Sequence, residues 1–282
     1  MQKIQSFSEL FNLALAFFKK HIHAIALISV IPTVLSGAVS AMSPHLGESG
    51  AGVTIYLGII IAVTLIALII FSVVYPVAFA RSIEGTERGE VIDTARAYMT
   101  SIKDFFPYIL VSLITFFVII AGGVVFAIPG IIATVYFAFN GLTYALDGKR
   151  GFDALTSSAW LVKGRWMDVL GRFILLGLFL ILASVISWGV IHIILSLIGF
   201  DASVSNFISG LVMAMIIAPF AFIFKYFLYR NLQSTLVQKD VDPAFAKKVK
   251  IWSIIGIIFG VLVSLLFSYF QIMFLVSGHF AS

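Results

Sequence analysis

The sequence contains no cysteine. That removes disulfides, thiolate metal sites and cysteine nucleophiles together. It also holds little charge. Only 11% of its 282 residues are Asp, Glu, Lys or Arg, against about 25% in an average soluble domain. Hydrophobic residues make up 61%, and the mean hydropathy is +1.11. This composition excludes a soluble globular enzyme, a disordered chain and a nucleic-acid-binding module. A third scarcity lies inside the hydrophobic stretches, which hold no Asp, Glu, Lys or Arg at their centres. A central charge costs about 2.5–3.5 kcal/mol on the insertion scale, so it persists where a pump, relay or voltage sensor needs it. Its absence counts against proton- or sodium-coupled transport. No His-Glu-x-x-His, Walker A loop or pair of intramembrane aspartates occurs either.

What is present is a series of charge-free apolar stretches: 24–42, 53–80, 107–146, 173–200, 202–224 and 251–278. A helix needs about 20 residues to cross a hydrocarbon core of about 30 Å. Each stretch is long enough for one crossing, and 107–146 is long enough for two. In lipid the backbone must satisfy its own hydrogen bonds, so the spans are helices. The Pro129-Gly130 pair interrupts the longest stretch. Proline is poor inside a helix but suits the first turn of a new one. A hairpin of helices 107–127 and 128–146 is therefore expected, with one long kinked helix as the competing reading.

The basic residues choose between the two. All 18 Lys and Arg fall in four clusters: before the first span, between the second and third, between the fourth and fifth, and between the sixth and seventh. With the hairpin counted as two crossings, all four lie on one side. The positive-inside rule then gives seven spans, the N-terminus in the cytoplasm and the C-terminus outside. Glu48 and Asp201 are the acids placed outside, so the expected net charge is +7 on the cytoplasmic face and −2 on the other. Membrane lipids, anionic at the cytoplasmic face, are the expected partners, at about 1 kcal/mol per basic residue. A protein partner or a second copy remains open. A cleavable signal peptide ending at Ser40-Ala41 is a competing reading of the N-terminus. The 23 residues before the first span read as a helix of their own and weigh against it.

Three regions follow: an N-terminal interfacial amphipathic helix at 1–23, a six-span membrane core at 24–232, and a basic segment with the seventh span at 233–282. Ser6-Phe7-Ser8-Glu9 is a capping box. Phe7, Leu10, Phe11, Ala14, Leu15 and Phe18 then share one helical face. A second amphipathic helix is expected at about 89–103, with Val91, Ile92, Ala95, Tyr98 and Ile102 on one side. A third spans 151–163, with Phe152, Leu155, Ala159 and Val162 inward and Gly164 as its stop. The order of interfacial helix, span, turn and span recurs three times. It reads either as an internal repeat or as the lead-in any hairpin entering from the cytoplasm requires. Asp242-Pro243 reads as the cap and first residue of the last helix. Trp160, Trp166, Trp252, Tyr108, Tyr144, Tyr226 and Tyr229 are expected to form an aromatic belt.

Few residues offer chemistry. His192 is the single histidine inside a span, with Ser196 one turn on. A hydrolase would use them as base and nucleophile. No orienting carboxylate accompanies them, so a hydrogen-bonded or interface histidine is the preferred reading. Asn140, Asn206 and Gln271 are expected to bond between helices. Glu84, Glu87, Glu90 and Asp93 form one acidic cluster, read as solvated ion pairs with a divalent metal as the alternative.

One stretch carries a family resemblance. Ile128-Pro129-Gly130-Ile131-Ile132 is followed by a span, by Asp147-Gly148, and by Phe152-Asp153-Ala154-Leu155 with Ser157, Ser158, Leu161, Val162, Lys163, Gly164 and Trp166. This resembles the YciC-like bacterial membrane proteins. It is also similar to the membrane domain attached to some glycerophosphodiester phosphodiesterases. The expected fold is an all-α polytopic transmembrane helix bundle with cytoplasmic interfacial amphipathic helices; the resemblance covers residues 120–185 and the six-span core in outline, and the C-terminal seventh span is an addition to its pattern. The resemblance marks Pro129, Gly130, Asp153, Ala154, Leu155, Ser158, Lys163, Gly164 and Trp166 as structural motif residues and implies no catalytic residue and no cofactor. The phosphodiesterase activity needs metal-binding acids with a catalytic His and is not carried over. The resulting expectation is a non-enzymatic lipid-associated or scaffold module of the bacterial inner membrane. Its rivals are a transporter or channel for a lipid or small apolar solute, and an intramembrane hydrolase at His192 and Ser196.

Overall fold

The computed structural model describes residues 4–42, 51–91, 93–125, 127–236 and 240–279. Lys3, Glu48, Ile92 and Lys239, used in the charge and face arguments, lie outside the described residues. The chain is all-α: α1 Phe7–Met42, α2 Ala51–Glu87, α3 Thr94–Ser101, α4 Phe105–Val125, α5 Ala127–Tyr136, α6 Asn140–Asp147, α7 Gly151–Val162, α8 Trp166–Leu197, α9 Ala202–Val212, α10 Ala218–Ser234 and α11 Pro243–His279. Among the described residues there is no strand. Among the described residues seven helical stretches are long and apolar enough to cross a membrane. The protein is a multi-pass membrane protein.

Local chemistry sets the helix ends. Ser6 Oγ accepts the Glu9 N–H at 3.3 Å, and the Glu9 carboxylate accepts the Ser6 N–H at 2.7 Å, which is the expected capping box. Asp93, Asp201 and Asp242 each cap the helix that follows, accepting from Arg96, Val204 and Ala244. Prolines account for two of the irregularities. Pro32 has no N–H for the Ile28 carbonyl. The Tyr98 hydroxyl donates to that carbonyl instead, at 2.7 Å. Pro219 is preceded by a π-helical turn, Met213–Ile217, which joins α9 to α10. There the Ala218 N–H reaches back five residues to Met213.

The chain divides into two compact units. One comprises Phe106–Val169 with Leu236–Ser282, and the other Gln2–Phe105 with Leu170–Thr235. In the first, α4 and α5–α6 form the expected hairpin. Gly122 meets Gly130, Thr115 meets Asn140, and Tyr108 meets Tyr144. These pairs step symmetrically away from the junction of α4 and α5, so the two helical arms of the hairpin run antiparallel. A single kinked helix would hold residues 122 and 130 about 12 Å apart. Pro129 and Gly130 sit in the first turn of α5. A Cβ on Gly130 would stand 2.8 Å from the Gly123 Cα, so glycine is required at the crossing. The α11 helix reaches α4 through Gly256 and Gly260, and a Cβ on Gly260 would meet the Phe117 carbonyl carbon at 3.0 Å.

In the second unit α1 packs on α2 and α10. The expected N-terminal helix forms from Phe7, but it continues into the first span through a kink at His21 (φ −119°, ψ 19°). Its apolar stripe packs on protein: Leu10, Ala14 and Phe18 are buried, and Phe11 packs edge-on against Phe179 and Phe220. The second lead-in is shorter than expected, Thr94–Ser101. Of its proposed inward face Tyr98 is buried, while Val91, Ala95 and Ile102 are exposed. The third is more enclosed than an interfacial helix, with Ala154, Leu155, Thr156 and Ser158 through Val162 all buried. The aromatic belt is largely interior. Tyr144, Tyr226 and Tyr229 are fully buried and Trp160 nearly so, while Trp252 is exposed.

Candidate functional site

Polar side chains from separate stretches of sequence gather at several places, two of which, one in each unit, bear on function. The first is a break in the fourth span. Between Tyr136 and Asn140 the backbone leaves the helical ladder. Groups freed in lipid need partners. Ser158 of α7 serves two of them: its Oγ donates to the Tyr136 carbonyl at 2.7 Å and accepts the Phe139 N–H at 3.0 Å. Thr143 Oγ1 donates to the Ala154 carbonyl at 2.9 Å, tying α6 to α7. Asn140 Nδ2 donates to Thr115 Oγ1 of α4, an interhelical bond of the kind expected.

The remaining motif residues surround this seam. Ala154 and Leu155 are fully buried, and Asp153 is exposed in the first turn of α7, where a carboxylate suits the helix dipole. Lys163 Nζ lies 4.3 Å above the Trp160 ring and 4.6 Å from that of Phe245. Gly164 turns the chain with φ +77°. Arg165 is buried and donates to the Leu161 carbonyl. Burial pushes its pKa down, and the nearby Asp168 carboxylate works in the opposite direction. Trp166 opens α8, and its Nε1 points at the Ile132 carbonyl from 3.5 Å. Of the motif residues, Ser158 and Ala154 take part in the hydrogen bonds of the seam, whereas Pro129 and Gly130 lie apart from it at the hairpin crossing.

His192 and Ser196 are not joined. The His192 ring lies 4.2 Å from that of Trp188, and its Nε2 has no hydrogen-bond partner. Ser196 Oγ donates to the Ile193 carbonyl of its own helix at 2.9 Å. The acidic cluster is dispersed as well. Glu84 pairs with Arg88 at 2.8 Å; Glu87 accepts from the Tyr226 hydroxyl and lies 3.8 Å from Arg230; Asp93 caps α3. Among the described residues no group of three or more His, Asp or Glu could hold a metal.

The second polar place is a cavity of about 170 Å³ between the end of α2 and the start of α3. Sequence reading missed it. It draws on residues before and after the turn at Gly89, whose φ of +87° folds α3 back beside α2. Arg81, Glu90, Asp93 and Arg96 line it together with Thr86 and Thr100. Arg81 is held by Asp104 at 2.7 Å and donates to Ser101. The Glu90 carboxylate folds over Gly85, 3.1 Å from where a Cβ would stand. Both signs of charge are thus present where the apolar part of α2 ends.

No family model matches this chain, and no curated protein and no solved structure matches it.

Proposed function

We propose that this membrane protein is a non-enzymatic, lipid-associated or scaffold module of the bacterial inner membrane, of the YciC-like kind. Its N-terminus would be cytoplasmic, its C-terminus outside, and anionic lipids would gather at its basic face. The observation that carries this reading is where the structure places its bonds. Ser158 bonds the backbone of Tyr136 and Phe139, and the Ala154 carbonyl accepts from Thr143, while long stretches of α2, α8 and α11 present apolar side chains outward. Within each unit, apolar side chains left open in this way suit lipid or a neighbouring protein. A transporter reading would draw on the broken fourth span, since broken helices often line substrate sites. Here Ser158 binds groups freed at the break, and the hairpin glycines touch instead of lining a channel, which favours the scaffold.

The test is extraction of the protein in polymer discs with its native lipids. Anionic lipids should be enriched in the discs over the bulk membrane, and proteoliposomes should show no solute flux. Bulk-like lipid with measurable flux would replace the scaffold by a transporter. Orientation is tested separately, because the chain has no cysteine of its own. A cysteine at Asp201 should react with an impermeant thiol reagent in intact cells. One at the exposed Ser234 should react only after lysis, and labelling from outside would reverse the topology.

A further inference from the structure

The cavity between α2 and α3 has a chemistry that selects a ligand. The hydroxyl of Ser82 donates to the Ala78 carbonyl, that of Thr86 to Ser82, and that of Thr100 to Arg96 and Ala97. Each proton is engaged within its own helix. What these side chains present to the cavity is therefore lone pairs. Glu90 and Asp93 add carboxylate acceptors on the same lining. The donors come from Arg81, already bonded to Asp104 and Ser101, and from Arg96, an exposed guanidinium with no ion pair among the described residues. One ligand that satisfies such a lining carries an N–H-rich cation and an anion that a guanidinium can chelate.

We infer that this cavity binds the headgroup of a zwitterionic phospholipid with a primary ammonium, of the phosphatidylethanolamine class, its phosphodiester on Arg96 and its ammonium among Glu90, Asp93 and the hydroxyl oxygens. The level fits. Arg81 is the first charge after the apolar run of α2, so the cavity lies where a span meets the headgroup layer. The size fits as well. At about 170 Å³ it is smaller than the roughly 300–1,000 Å³ of sites for drug-sized molecules. A quaternary choline headgroup is disfavoured, because it has no N–H for the acceptors and is recognised by aromatic cages. Among the described residues no aromatic side chain lines this cavity.

The inference rests on the lipid-associated reading and narrows it to one site. The full-length protein is reconstituted into vesicles of phosphatidylethanolamine, phosphatidylcholine and phosphatidylglycerol in equal parts. It is then extracted, washed with detergent, and its retained lipids are measured by mass spectrometry. Phosphatidylethanolamine should be retained over phosphatidylcholine by on the order of tenfold, as one charge-assisted hydrogen bond gained or lost would give. Glu90→Gln and Arg96→Gln, both at exposed positions, should bring that ratio close to one and leave phosphatidylglycerol retention unchanged. Retention of lipid without preference between the two zwitterions overturns the cavity assignment alone. So does a preference that both variants keep. Failure to retain any lipid above the bulk overturns the lipid-associated reading with it.

Discussion

The basic ends of the helices and their far ends are built differently, and α2 shows both in one helix. Ile83, among the charges at one end, is 0% exposed, whereas Ile66, four to five turns earlier, is 59% exposed. Val74 and the run from Val77 to Ala80 are buried, while Ile55, Ile59 and Val63 are open. In α10 the buried residues run from Pro219 to Leu232, and along α8 the buried apolar side chains are Val169 and Leu176, both near its start. The difference follows from the two solvents. Where the chain meets water and headgroups, burying apolar surface is favourable and folds the ends into a core. Within hydrocarbon a leucine is no worse off against lipid than against protein, so apolar area gives no drive to close the helices together. Specific structure at the far ends then has to come from close backbone approach.

That account is most exposed to failure at Gly130. It lies near the far end of the hairpin, where little else is packed, with a Cβ position 2.8 Å from Gly123 Cα. The neighbouring atom is backbone and cannot swing aside. Gly130→Leu should separate α4 from α5 and cost about 3 kcal/mol or more. Gly189→Leu adds the same side chain to α8 at a position with nothing within 4 Å, and should change stability by less than about 0.5 kcal/mol. Reversible unfolding in mixed micelles compares the two. Equal losses would mean that the far ends are not organised by glycine contacts.

The sequence shows the architecture well because a bilayer imposes simple rules. Span length, backbone self-satisfaction and Pro129 together specify seven spans and the hairpin, and the described residues hold both. Two helix caps were legible because they act locally: Ser6 and Asp242 act on neighbours three or fewer residues away. Amphipathic pattern was a weaker guide. It marks Leu10, Ala14 and Phe18 as facing something apolar, and a lipid interface and a partner helix look alike to such a pattern. The aromatic residues misled similarly, since a tyrosine at a membrane boundary and one in a core have the same neighbours in sequence. The Tyr98 bond to Ile28 could have been sought, because Pro32 announces an unpaired carbonyl; its partner, 70 residues away, is set by tertiary structure. The cavity was illegible because its acceptor character depends on which way Ser82, Thr86 and Thr100 direct their protons.

Ser158 sharpens the comparison from the packed side, with a smaller effect. The resemblance marks it as a motif residue, and the structure gives it a role that no neighbour in sequence reveals. Ser158→Ala keeps the helix propensity of α7 and its close packing, and removes one atom. That atom serves Phe139 N–H and the Tyr136 carbonyl together. A single interhelical hydrogen bond in a membrane is worth about 0.6 kcal/mol on average. Two buried backbone groups left without a partner raise the cost to about 1–3 kcal/mol. Ser184→Ala is the matched control on α8, because its hydroxyl donates to the Leu180 carbonyl of the same helix, whose ladder survives without it. Its cost should stay below about 0.5 kcal/mol. Hydrogen exchange at the Phe139 amide gives a second readout: it should accelerate in Ser158→Ala and be unchanged in Ser184→Ala. If both variants lose the same stability and Phe139 stays protected, the break in the fourth span is held by packing, and the contrast between the two ends loses its polar half.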